Sequence, residues 1–259
     1  MKSDRLLRLS VILAVLILLG FEIAGRVVKT EDPLFPIVQT AVTRAVGAFV
    51  FVLLIRRMGY PVLGFGKFAG EGKTPLPATE KTVLALSVLV ALNNFPWIGI
   101  LSGKAEIPAP PAVIAFFAVE CAAVGCFEEL AFRGFLLPYC FGRVKEKRRP
   151  AFLAAFLSSA VFALVHLVNL FAGASPAAVL MQIGYSFLIG GMCACVLFAS
   201  GSVWICAALH AVYNFCGTIL SRFGAGTRWD AVTVAVTAAL GGVAAAVGIR
   251  YLLTTKETL

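Results

Sequence analysis

The sequence predicts an all-α, polytopic integral membrane protein of about eight transmembrane helices. Three observations carry this reading. Charged residues make up 14% of the 259 and mean hydropathy is +0.95, whereas a soluble domain carries about 25% charged residues. From Ala151 to Ser221 there is no Asp, Glu, Lys or Arg at all. The apolar runs are continuous rather than alternating, which suits helices; lipid admits only helices and closed barrels, because both satisfy their own backbone.

Each span follows from a run long enough for roughly 20 apolar residues. The first is Leu6–Ala24, after a basic start at Lys2, Arg5 and Arg8. Its run is long for a signal peptide and no clear cleavage site follows, so it reads as a retained span. Leu34–Ile55 and Thr82–Leu101 come next, joined by a Gly-, Pro- and Lys-rich linker; Asn93, Asn94 and Pro96 mark a helix break in the latter. Ala112–Phe132 is the fourth. The charge-free stretch then divides at "GASP" and "SGS" into Ala151–Phe171, Ala177–Ala199 and Val203–Leu220. Ala231–Tyr251 closes the series, with "GGVAAAVG" as a small-residue surface for close helix packing. The whole of 1–259 reads as a single membrane domain.

Basic residues orient these spans, since cytoplasmic loops are enriched in Lys and Arg. With both termini inside, fifteen of the 22 Lys and Arg fall on inner segments and five on outer ones, while Arg44 and Arg133 lie within spans. This predicts a multi-pass protein of the cell membrane with cytoplasmic N- and C-termini. The +9 charge is then a topology signal, and "RVKEKRRP" is a short cytoplasmic turn rather than a nucleic-acid site. The seven Cys form no C-x-x-C and lie mostly in spans, where a thiol behaves as a small hydrophobe.

A charge at a span centre costs roughly 2.5–3.5 kcal/mol on insertion scales, so intramembrane ionisable groups are functional candidates. In this chain they are Glu22, Arg44, Glu120, Glu128, Glu129, Arg133, His166 and His210, the last two being its only histidines. Glu129 and Arg133 are four apart and share a helix face, as an ion pair would. Glu128 is turned by about 100° from Glu129. It is therefore expected to be left without that partner, as the candidate general base. His210 and Asn214 share a face, as do Phe162 and His166.

Depth brings these groups together. Glu128 and His166 are equidistant from position 147 in the basic turn, and so face each other in an antiparallel pair. At about 1.5 Å per residue, His210 and Asn214 lie roughly 12–18 Å from the inner end of their span, and Glu128, about 14 residues before the inner end of an extended fourth helix, roughly 20 Å. One Glu, two His and one Asn are thus expected in one cavity that opens toward the cytoplasm. A carboxylate and an imidazole can activate water, while an imidazole and an amide can stabilise the oxyanion that forms. Glu128, His166 and His210 could equally ligate a zinc ion with one position left open; the sequence does not separate the two. The other classes are a proton-coupled transporter, which would show repeated halves, and a non-catalytic immunity or scaffold protein.

"EELAFR" (128–133), "FALVH" (162–166) and "HAVYN" (210–214) together resemble the CPBP family of intramembrane proteases, which takes in type II CAAX prenyl endopeptidases and Abi-type, bacteriocin-processing proteins. The resemblance spans about 112–220. It implies hydrolysis of a peptide bond in a membrane-anchored protein or peptide, with Glu128 and His166 activating water, His210 and Asn214 stabilising the oxyanion, and Glu129 and Arg133 organising the site. No nucleic-acid partner is implied.

Overall fold

The computed structural model describes residues 34–65, 67 and 75–256, together with the isolated positions 12, 13, 16 and 20. Those four positions are helical, but the expected first span otherwise lies outside the described residues. From residue 34 onward the chain forms a bundle of helices that alternate in direction between two ends. Among the described residues, one two-residue ladder pairs Ala105–Glu106 with Ala225–Gly226 in antiparallel fashion.

Helix α1, Phe35–Met58, stops at Gly59, whose φ of 73° is the left-handed cap that glycine adopts without penalty. Helix α2, Ala78–Asn93, ends where the sequence places the break: Pro96 cannot donate a backbone hydrogen bond, and the chain turns into the short α3, Trp97–Leu101. The expected third span is therefore two pieces. Side chains at the break tie it to neighbouring segments. Asn94 Nδ2 donates to Tyr213 O at 2.8 Å and its Oδ1 accepts from Arg228, while Asn93 Nδ2 donates to Thr237 Oγ1 at 2.9 Å.

Helix α4, Pro111–Glu129, does not end near Phe132 as expected. It passes through a π-helical stretch, Leu130–Leu136, and continues as α5, Leu137–Val144. A π turn holds one more residue per hydrogen-bonded ring and is typical of functional sites; this one contains Arg133. Pro150 opens α6, Pro150–Val165, at a position where its missing N–H costs nothing. The helix then tightens into a 3₁₀ turn, His166–Leu170, rather than running on to Phe171. Ser175 caps α7, Pro176–Ser200, by accepting from Ala178 N at 3.3 Å. Gly201 reverses the chain into α8, Val203–Phe223, and Asp230 caps α9, Ala231–Thr254.

Five stretches among the described residues are long and apolar enough to cross a membrane: α1, α6 with its 3₁₀ extension, α7, α8 and α9. The count of eight is thus not confirmed, and the expected first span lies outside the described residues. Helix α2 has only 16 residues, and α4 carries three carboxylates, Glu120, Glu128 and Glu129. The hydrophobic side chains left on the outside, such as Phe49 at 63% and Leu180 at 68% exposed, suit a bundle solvated by lipid.

Helix α4 sits at the centre, packed on α1 and α8. Gly125 permits the second contact, because a Cβ there would lie 2.7 Å from Ala207 O. On the other side Phe51 meets Phe127 and Phe135 edge to face, at 5.9 and 6.1 Å between centroids. Such pairs contribute about 0.5–1.5 kcal/mol beyond the area they bury.

Candidate active site

Helix α4 delivers two adjacent carboxylates to the middle of the bundle, and α8 delivers the imidazole between them. Glu129 is fully buried. Its Oε1 accepts from Arg133 Nη1 at 3.0 Å, the pair expected from the spacing, and also from His210 Nδ1 at 2.6 Å. A carboxylate can only accept, so Nδ1 carries the proton and the tautomer follows from the geometry. The other ring nitrogen, Nε2, lies 3.5 Å from Glu128 Oε2.

This corrects the expectation for Glu128. The two carboxylates do leave the helix in different directions, but they approach one imidazole from its two nitrogens. Glu128 is therefore not without a counterpart. At 3.5 Å the contact is an ion-pair distance rather than a good hydrogen bond, and its side chain stays 18% exposed.

His166 opens the 3₁₀ turn at the end of α6. Its Nδ1 donates to Phe162 O at 2.9 Å, which leaves Nε2 free to accept. Phe162 does more than fill space. Its ring stands edge to face with His166 at 5.1 Å and with His210 at 5.9 Å, and the Arg133 guanidinium lies 4.6 Å from its centroid. One aromatic ring thus fixes both imidazoles and the buried cation. Gly190 on α7 completes the packing: a Cβ there would sit 2.9 Å from Arg133 Nη2.

Glu128, His166, His210 and Asn214 line one cavity of about 250 Å³. Glu120, an intramembrane candidate from the sequence, lines it too. Glu128 and His166 also line a second cavity of about 30 Å³ beside Asn169. That is enough room to hold a water molecule, and the site offers polar partners for it. Glu129 and Arg133 stand behind this wall, outside both linings.

The sequence reading missed several lining groups. Gln182, Tyr185 and Ser186 come from α7, and Tyr213, Thr218 and Arg222 from α8. One signal was available: His210, Asn214, Thr218 and Arg222 recur every fourth residue and form a polar stripe on an otherwise apolar helix. Arg222 Nη1 pairs with Glu120 Oε1 at 3.2 Å.

The opening differs from expectation. Every α4 residue lining the large cavity lies at or before Glu128, and every α8 residue at or after His210. The cavity therefore runs toward the start of α4 and the end of α8, away from the basic turn. On the basic-turn side, a packed apolar plug that includes Phe135, Phe141, Leu197, Phe198 and Val203 seals the bundle. A span-by-span count of depth cannot see such a plug.

Zinc would need Glu128, His166 and His210 to converge on one point. Among the described residues, no three His, Cys, Asp or Glu groups are arranged to hold a metal ion. Both imidazoles turn Nδ1 to a protein oxygen, which leaves each Nε2 available, so it is the spacing of the donors and not their orientation that counts against a metal. The arrangement of these donors therefore does not fit the zinc alternative.

The comparisons with known proteins bear on one segment. Residues 110–216, less than half of the chain, match the family model described as type II CAAX prenyl endopeptidase, Rce1-like. That segment holds all three motifs and ends before Arg222. No curated protein and no solved structure matches the chain.

Proposed function

We propose that this chain, whose residues 110–216 are of the Rce1-like type II CAAX prenyl endopeptidase kind, is a glutamate-dependent intramembrane endopeptidase of the cell membrane. The catalytic core is 112–220 within a single membrane domain. The substrate is a membrane-anchored protein or peptide. The observation that carries this reading is the meeting of Glu128, His166, His210 and Asn214, from three separate helices, on one cavity.

The roles are those the resemblance implies, and the geometry supports them. A water between Glu128 and His166 is held by the free Nε2 of His166 and gives a proton to the Glu128 carboxylate. Its oxygen attacks the scissile carbonyl carbon, and the π electrons of that carbonyl become the oxyanion. Asn214 Nδ2 stabilises the oxyanion, and His210 does so as an imidazolium, protonated at Nε2 as well as at Nδ1. Glu129 accepts the His210 Nδ1 proton and Arg133 balances Glu129, so the imidazole is held in one orientation. When the oxyanion collapses, the C–N bond breaks. Glu128 passes its proton to the leaving nitrogen, and the products are one carboxylic acid and one amine. Water enters once and no redox partner is needed.

The test is Glu128→Gln, which keeps shape and hydrogen bonding but removes the base. Purified in lipid nanodiscs with a panel of membrane-anchored peptides, it should insert and melt like the parent and lose cleavage by about 10²-fold or more. A variant that cleaves at the parent rate would remove the assigned role of Glu128. Glu128-dependent proton uptake into liposomes without cleavage would support a transporter instead.

A further inference from the structure

We infer that this site takes its substrate from the non-cytoplasmic face of the membrane, so that the segments it cuts belong to exported or membrane-crossing polypeptides. The inference rests on the protease reading above but adds to it a direction of access.

The path of the cavity supplies the first observation. The cavity begins at Glu128 and His210 and reaches the Glu120–Arg222 pair, where Arg222 is the penultimate residue of α8. Glu120 and Glu128 are eight residues apart on one helix, so the passage rises about 12 Å along α4. Thr218 and Tyr185 on its walls are exposed, and the Arg222 side chain is 39% exposed. That end of the bundle is the one where the Ala105–Gly226 ladder closes and where Arg228 reaches Asn94.

The charge of the two ends supplies the second. The opposite end gathers the α1 terminus, the basic turn and the α7–α8 turn. Trp204 Nε1 donates to Leu63 O there at 2.7 Å, and Tyr60 packs on Phe135. Among the described residues, eleven Lys and Arg lie at that end and three, Lys104, Arg222 and Arg228, at the end where the cavity opens. Such an imbalance in short loops places the basic end in the cytoplasm. The sealed end and the basic end coincide, so the open end faces outward. The walls there mix apolar and aromatic side chains such as Phe117 and Val124 with the uncharged polar groups Gln182, Ser186 and Thr218, and the Arg222–Glu120 pair stands at the mouth. This suits an extended, largely uncharged peptide segment.

The test is thiol accessibility, which needs no substrate and no turnover. Thr218→Cys reports the mouth, and Lys147→Cys reports the basic turn. Intact cells expressing each full-length variant are treated with a membrane-impermeant maleimide, before or after lysis, with the parent chain as background. Thr218→Cys should label equally in intact and lysed cells, whereas Lys147→Cys should rise from background only on lysis. The reverse pattern would overturn the inference, and so would a Thr218→Cys that labels only after lysis. If Thr218→Cys does not fold, Tyr185→Cys on the facing wall replaces it with the same expectations. Failure of the labelling pattern leaves the Glu128→Gln experiment untouched, and failure of that experiment leaves the labelling pattern untouched, so the two readings fall separately.

Discussion

Replacing Arg133 with leucine should be among the most damaging single changes in this protein. Arg133 and Glu129 are both fully buried, and their contact of 3.0 Å is, among the described residues, the only ion pair Glu129 makes apart from that to His210. Glu129 Oε2 already lacks a nitrogen or oxygen partner. Deleting the guanidinium leaves a carboxylate in low dielectric with one imidazole and the weak thiol donor of Cys193 for company. Breaking a buried pair by removing one partner costs about 3–5 kcal/mol, and the lost stacking on Phe162 adds about 1 kcal/mol. That is a large share of a total stability of about 5–15 kcal/mol. The assay is a double-mutant cycle of Arg133→Leu, Glu129→Gln and the pair, read as unfolding free energy in nanodiscs. The double variant should be more stable than the sum of the two single effects predicts, because no ion is then orphaned. A single variant that loses under about 1 kcal/mol, or strictly additive effects, would refute the view of Glu129–Arg133 as one buried electrostatic unit.

Gly125→Ala should cost about 1–3 kcal/mol, since its Cβ would meet Ala207 O at 2.7 Å and Ala211 N at 3.0 Å; it should also reduce turnover by spreading α4 from α8, while Gly142→Ala, with open space around it, serves as the neutral control in the same melting and cleavage assays. Phe162→Ala should cost about 3–5 kcal/mol and lower kcat more than Phe162→Leu does, because the ring orients His166, His210 and Arg133; equal kcat in both variants would reduce it to packing. Exhaustive chelation should leave cleavage unchanged, and a loss restored by added zinc would show that the donors rearrange around a metal.

Much of the site was legible because intramembrane charge is costly and therefore sparse. Glu128, Glu129, Arg133, His166 and His210 stand out against an apolar background, and helical spacing alone joins Glu129 to Arg133. Gln182, Tyr185 and Thr218 did not stand out, because neutral polar residues are common in buried helices and carry no such signal. The break at Asn93–Pro96 was legible from proline's missing donor. The depth estimate already carried the fourth helix beyond Phe132, but the π turn within it was not legible, because no residue type specifies one.

Composition, continuous hydrophobicity and periodicity along single helices were enough to establish an all-α membrane protein and the residues worth suspecting. These are one-dimensional properties, and a charge-poor chain writes them plainly. Which way the carboxylates turn, that both reach one imidazole, and which end of the bundle is sealed depended on side chains from α4, α6, α7 and α8 filling a shared space. Burial and packing are set jointly by elements far apart in the chain, and no stretch read alone contains them.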